Sequence, residues 1–125
     1  MFNVTNVSKK RSPITVNFAQ EIKESILGKK YNLSLVYVNN RESKKLNKEY
    51  RSKDKPTNVL SFPISDTEGE IFINLETKKQ EAGKFEMSFK KYIGYLVIHG
   101  ALHLKGLDHG DEMDKLEDKF LKKFF

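Results

Sequence analysis

All three histidines of this 125-residue chain fall within eleven residues, at relative positions i, i+4 and i+10. His99 and His103 are four residues apart, so on an α-helix their side chains share one face, one turn apart. Gly106 follows, and glycine readily takes the left-handed conformation that ends a helix. The chain can then turn back and bring His109 beside the first pair. The spacing therefore requires a helix, a sharp stop and a return.

Such a cluster of imidazoles is typical of a metal site. Three neutral histidines around Zn²⁺ leave one tetrahedral position for water, which distinguishes catalytic from structural zinc. Cysteine is absent, which excludes thiolate ligands, disulfides and a cysteine nucleophile. The sequence therefore predicts one Zn²⁺ ion held by His99, His103, His109 and a water molecule. Nickel, copper and iron also suit imidazole ligands, so the identity of the metal stays open.

The periodicity of apolar residues predicts an α+β fold. We expect a small mixed β-sheet packed with helices in a zincin-like arrangement, with the metal site at the end of a long central helix. The length suits one hydrophobic core, so residues 1–125 are predicted to form a single domain. The predicted strands are 3–7, 32–38, 59–62 and 70–74, the last two as a hairpin joined across 63–69. The predicted helices lie between Pro13 and Gly28, from Asn40 towards Asp54, from Ser88 through His103, and after His109.

Individual side chains in these helices carry further expectations. Leu46 and Tyr50 are predicted to form the apolar face of the second helix, and Met113 to lie in the core. Three roles are open to Asp108, namely orienting an imidazole, accepting a proton or capping the last helix, and the first and third are favoured. The acidic residues Asp111 and Asp114 are explained by the positive end of the helix dipole.

The chain is basic, with 23 Lys and Arg against 17 Asp and Glu and a net charge of +6. Lysine and arginine crowd residues 44–55. This balance suits an anionic partner such as RNA, although a lysine-rich surface alone would explain it equally well. The N-terminal residues do not have a signal-peptide pattern, and the longest apolar run, 92–104, is too short to span a bilayer. We therefore expect a cytoplasmic protein with no membrane role.

The histidine segment matches the metzincin pattern HExxHxxGxxH at its three ligands and at Gly106. The pattern fails at one position, because Gly100 stands where a metalloprotease has its glutamate general base. A zinc peptidase is therefore an alternative that lacks its base.

Two motifs together resemble a known family. HGALHLKGLDH at residues 99–109 and LNKEYRSKDKPTNVLSFP at residues 46–63 resemble the YbeY family of bacterial rRNA-maturation endoribonucleases. The resemblance covers nearly the whole chain and is weakest over the first forty residues. It implies a zinc-dependent, single-strand-specific endoribonuclease of α/β fold that acts in 16S rRNA 3′-end maturation and ribosome quality control. It also implies association with the ribosome and leaves protein partners unspecified.

Carried over by position, the resemblance assigns zinc binding to the three histidines and a catalytic role to Arg51. A guanidinium offers a planar fork of donors that suits the charge accumulating on phosphorus. Leu107 and Glu70 depart from the tyrosine and aspartate common in the family, and neither departure removes a ligand. The proton acceptor stays unassigned, as does the choice between attack by water and by the RNA 2′-hydroxyl. A non-catalytic, zinc-containing ribosome-assembly factor is the third possibility.

Overall fold

A mixed four-stranded β-sheet lies at the centre of the protein. The computed structural model describes residues 1–76 and 86–125. Within them the strand order is β1-β2-β4-β3, with β1, β2 and β4 parallel and β3 antiparallel to β4. This arrangement confirms the predicted α+β class with a small mixed sheet, whereas the zincin-like arrangement stays a prediction. The strands are β1 (Phe2–Asn6), β2 (Asn32–Val38), β3 (Val59–Ser65) and β4 (Glu68–Asn74).

Four α-helices surround the sheet in the described residues. Three of them begin at a residue whose side-chain oxygen accepts a backbone N–H of the first turn, namely Thr15, Asn39 and Ser88. Such caps satisfy donors that the helix itself leaves unpaired. None of the helices described is long and apolar enough to cross a membrane. The helices are α1 (Val16–Leu27), α2 (Asn40–Arg51), α3 (Phe89–Leu104) and α4 (Asp111–Phe124).

The hydrophobic core lies between the sheet and helices α1, α3 and α4. Alternate residues of β2 and β4 point into it, because successive side chains of a strand face opposite sides of the sheet. Helix α3 is buried along most of its length, and nine of its 16 residues are buried. Its two histidines therefore sit at the end of a rigidly packed element, as predicted. The core side chains that are at most 2% exposed include Leu33, Leu35, Ile71, Ile73, Ile93, Val97, Ile98 and Leu102.

The predicted hairpin is present, but its strands are longer than expected. The connection consists of Asp66 and Thr67 rather than the whole segment 63–69. Pro63 lies inside β3, next to a register shift between Pro63 and Ser65. A proline is tolerated there because β3 is an edge strand, where an N–H is not needed for a second neighbour.

The predicted apolar face of α2 is confirmed only in part. Leu46 is partly buried, whereas Tyr50 is 60% exposed. The fully buried residues of this helix are the polar Ser43 and Asn47. The Ser43 hydroxyl donates to the carbonyl of Thr57 at 2.6 Å, and the Asn47 amide donates to the carbonyl of Lys55 at 2.8 Å. These two buried side chains are polar because they form hydrogen bonds to the loop that follows the helix.

Helix α3 approaches strand β3 closely at Gly100. A Cβ added there would lie 2.9 Å from the Ser61 hydroxyl oxygen and 3.0 Å from Cγ2 of Ile71. The Ser61 hydroxyl also donates to the carbonyl of Gly100 at 3.1 Å. Only a residue without a side chain allows this contact.

We predict that Gly100→Ala lowers the free energy of unfolding by about 1–3 kcal/mol through overpacking. In an unobstructed helix the same change would raise it by up to about 1 kcal/mol. Urea denaturation of the variant and the wild type measures the difference. Unchanged or increased stability would contradict the close packing of α3 against β3.

Candidate metal centre

The end of α3 is shaped by the turn at Gly106. Gly106 has a φ of 103°, and its N–H donates to the carbonyl of His103 at 2.9 Å. The N–H of Leu107 donates to the carbonyl of Leu102 at 3.1 Å. These two bonds form a Schellman motif, which reverses the chain and needs a positive φ at the glycine. The predicted stop and return are confirmed.

The return brings the three histidines together. One ring nitrogen of each lies within 4.8 Å of the others. The Nε2 atoms of His99 and His103 are 3.2 Å apart, and the ring of His109 lies 5.3 Å and 4.9 Å, centroid to centroid, from those two rings. His99 and His103 are partly buried, whereas His109 is exposed. The cluster is therefore packed on one side and open on the other.

Hydrogen bonds fix the tautomers of two of these rings. His103 Nδ1 lies 3.0 Å from the carbonyl of Leu107, which can only accept, so Nδ1 carries the proton. His99 Nδ1 lies 3.2 Å from Oε2 of Glu117, a carboxylate that likewise requires a donor. Burial, followed by the neighbouring His99, lowers the pKa of His103. In the neutral rings both Nε2 atoms therefore present bare lone pairs.

Two lone pairs that face each other at 3.2 Å repel unless a cation lies between them. The Zn–N distance is about 2.0–2.1 Å, which places two nitrogens of a tetrahedral site about 3.3 Å apart. The separation of the two Nε2 atoms matches this value. The donor set of His99, His103 and His109 therefore fits a divalent transition-metal ion.

Glu117 also belongs to this cluster, although the sequence pattern did not indicate it. Its side chain is only 8% exposed, and it lies on the buried face of α4 beside Met113 and Phe120. Burial, together with the charge and hydrogen bond of Glu117, raises the pKa of Tyr95 well above its ordinary value, so the Tyr95 hydroxyl keeps its proton. The available signal was an acidic residue at a core position of the last helix. A carboxylate behind a metal-binding imidazole is a common means of orienting the ring.

The structure assigns neither favoured role to Asp108. The backbone carbonyl of Leu107 bonds to His103, and the N-cap of α4 is Gly110, which has no side chain. Because this bond uses a main-chain carbonyl, it does not depend on the side chain at position 107. Met113 is fully buried, as predicted, and Asp111 and Asp114 are exposed in the first turn of α4.

Arg51 shares a cleft with the histidines. The cleft has a volume of about 410 Å³ and is lined by Arg51, the three histidines and residues 59–63 of β3. A second cleft, of about 300 Å³, adjoins it through Arg51 and contains Lys53 and Lys55. The bonds from Ser43 and Asn47 hold the loop that carries these lysines. The four residues singled out in the sequence thus lie around one opening.

The position of a metalloprotease glutamate is closed in this fold. A side chain at residue 100 would start in collision with Ser61 and Ile71 of the sheet. Glycine at this position is therefore required by the packing of α3 on β3. A glutamate base could be placed there only if α3 moved away from β3.

These features define an α+β protein in which three histidines that could hold a metal ion lie in an open, partly basic cleft. Residues 3–124 match the family model described as endoribonuclease YbeY. The chain belongs to the YbeY family.

Individual relatives agree with this assignment. A protein of Colwellia psychrerythraea named endoribonuclease YbeY is 45% identical over 94 residues, which cover 70% of this chain and 61% of that protein. A Staphylococcus carnosus protein of the same name is 37% identical over 97 residues, covering 68% and 63%. The match therefore spans less than two thirds of either relative. The solution structure of TM1509 from Thermotoga maritima has a TM-score of 0.71 and 30% identity, covering 99% of this chain and 89% of that one.

We predict that Glu117→Ala weakens the binding of a divalent metal by about 10–100-fold, because His99 loses the group that orients it. Glu117→Gln keeps an acceptor oxygen and should lose less. Competition with a chromophoric chelator measures the affinity. Asp118→Asn is the matched control, since Asp118 lies on the exposed face of the same helix. Equal affinity in Glu117→Ala and the control would contradict the orienting role.

We also predict a pH dependence of stability in the metal-free protein. The folded state lowers the pKa of His103 below its ordinary 6.5, so the unfolded chain binds a proton more readily than the folded one. The free energy of unfolding should therefore fall as the pH drops below about 6.5 and level off below the folded pKa.

Urea denaturation of chelator-treated protein at pH values of about 7.5 and 5.5 tests this dependence. His103→Gln lacks the titrating ring and should lose less stability over the same interval. An equal loss in both proteins would contradict the assignment to His103.

Proposed function

We propose that this protein is a zinc-dependent endoribonuclease that cleaves single-stranded RNA. The observation that carries the proposal is the shared cleft of Arg51 and the three histidines, which continues into the cleft of Lys53 and Lys55. The family name and the relatives' names support the same activity. We extend the proposal to 16S rRNA 3′-end maturation and ribosome quality control, with rRNA in the ribosome as partner and residues 1–125 as one domain.

The charge of the cleft suits a polyanion. Arg51, Lys53 and Lys55 are all exposed, so their side chains can contact successive phosphates of a strand. The candidate ligands are imidazoles, and Glu117, the carboxylate that bonds to His99, is not among the residues that line the cleft. A bound divalent ion would therefore present positive charge to a phosphodiester in this cleft.

Arg51 is suited to stabilise the reacting phosphate. Arg51 is the last residue of α2. Its guanidinium can donate two parallel hydrogen bonds to phosphoryl oxygens. A Zn²⁺ ion held by the three imidazoles, with water at its fourth position, would supply Lewis-acid catalysis there. Glu117 and the carbonyl of Leu107 keep His99 and His103 in the tautomers that such an ion needs.

A peptidase is the weaker alternative, because the cleft lacks a glutamate at position 100 and the packing at Ser61 excludes one. If the protein were instead a non-catalytic assembly factor, we would expect the same bound metal and the same affinity for RNA. Cleavage is therefore the property that decides between the proposed function and this third possibility.

We predict that Arg51→Ala lowers the rate of cleavage of a single-stranded rRNA fragment by about 10²–10³-fold, as expected for loss of a preorganised donor to the developing charge. The metal content should stay at the wild-type level. His109→Ala should lose both metal and activity. Cleavage is followed by gel electrophoresis, and a 2′,3′-cyclic phosphate end would identify attack by the 2′-hydroxyl.

Arg41→Ala is the matched control, because Arg41 is an exposed arginine of α2 outside both clefts. Equal cleavage by all four proteins, or wild-type protein without a transition metal, would overturn the proposal. RNA binding without cleavage, together with normal rRNA maturation in cells carrying Arg51→Ala, would favour the assembly factor. Cleavage of an unstructured peptide with RNA left intact would favour the peptidase.

A further inference from the structure

Three aromatic rings extend from the end of α2 across the sheet. The rings of Tyr50 and Phe62 are 4.9 Å apart between centroids, at an interplanar angle of 52°. Phe62 and Phe72 are 5.7 Å apart in an edge-to-face contact. Phe62 also lines the cleft of the histidines. The ring cluster therefore borders the cleft at strand β3, and Tyr50 is its exposed member.

These rings are not part of the main hydrophobic core, which lies between the sheet and helices α1, α3 and α4. Tyr50 is 60% exposed, and Phe62 and Phe72 are partly buried. The fully buried residues of α2 are Ser43 and Asn47, whose bonds to the following loop hold the helix in place, so its attachment does not depend on Tyr50 alone. Tyr50 thus contacts Phe62 in a tilted arrangement and leaves 60% of its surface exposed, which makes it available for a ligand.

The surroundings of this surface are positively charged. Arg51 follows Tyr50 directly in the chain. Lys48, two residues before Tyr50, and Lys53, three residues after it, are both exposed. Aromatic rings next to a basic groove are the combination by which proteins bind single-stranded nucleic acid, since bases stack on the rings and phosphates contact the cations. Neither a plain apolar peptide nor a free anion would use both features.

We propose that Tyr50 and Phe62 form a stacking platform for one nucleobase of the RNA strand whose phosphate lies at Arg51. The inference rests on the proposed function and adds a physical source of strand selectivity. In a duplex the bases are already stacked and paired, so none is free to lie on Tyr50. A single strand can place an unstacked base there while its backbone follows the basic clefts.

The test measures binding of a 2′-O-methylated single-stranded oligonucleotide to the metal-loaded protein. Tyr50→Leu keeps an apolar side chain on Phe62 and removes the aromatic face. It should raise the dissociation constant about tenfold, whereas Tyr50→Phe should leave it unchanged. Ile64→Ala is the control, because Ile64 is an exposed apolar residue of β3 that lines a different cleft. Unfolding by urea establishes that all variants keep the wild-type stability.

A second set of strands carries an abasic nucleotide at each position in turn. At one position the missing base should weaken wild-type binding by the same factor as Tyr50→Leu, with no further loss in the variant. A 2-aminopurine at that position should be quenched by the wild type and by Tyr50→Phe and not by Tyr50→Leu. If Tyr50→Leu weakens the binding of every abasic strand as much as the binding of the intact strand, the platform is overturned.

The failure of the platform and the failure of the proposed function differ in outcome. If the wild type cleaves RNA and Tyr50→Leu binds and cleaves like Ile64→Ala, the platform is wrong and the nuclease stands. If the wild type neither binds nor cleaves RNA, both are wrong. If Tyr50→Leu instead abolishes a self-association seen by analytical ultracentrifugation, the surface is an interface between copies of the chain and the platform is overturned.

Discussion

The contact of helix α3 with strand β3 at Gly100 determines where the metal centre lies. Because residue 100 has no side chain, the helix approaches β3 closely enough for the Ser61 hydroxyl to reach the carbonyl of Gly100. His99 and His103 lie immediately before and shortly after this contact. They therefore open onto the edge of β3 and onto Arg51 at the end of α2. A side chain at this position would collide with Ser61 and Ile71, so α3 could not keep its present distance from β3.

Around this contact, each histidine is held by a different part of the chain. His99 depends on Glu117 of α4, and His103 depends on the Schellman turn through the carbonyl of Leu107. His109 comes after that turn and is exposed. Two ligands are consequently fixed before an ion binds, and the third has room to adjust. A site of this kind binds an ion with little loss of conformational entropy while it keeps an open side for substrate.

Sequence pattern correctly predicted those parts of the fold that depend on interactions between neighbouring residues of the chain. The i, i+4 histidines, the stop at Gly106 and the limits of β2 followed from helix periodicity, glycine conformation and apolar composition. The role of Glu117 could not be predicted, because it depends on the angle at which α4 folds back onto α3, which the sequence pattern does not determine. The polar face of α2 was missed for the same reason: Ser43 and Asn47 bind a loop whose path no periodicity describes. Arg51 was found through family resemblance, since the sequence spacing between it and His99 carries no geometric information.

Strand β3 also has a property that matters when many copies of the chain meet. As an edge strand it carries backbone groups that another strand could pair with, and an open edge of this kind promotes aggregation. Pro63 offers no N–H, and the register shift beside it bends the strand away from a regular ladder. Only the short stretch before Pro63 is left regular, and that stretch lies against the histidines and Arg51. The border of the cleft thus offers another β-strand too few partners for stable addition.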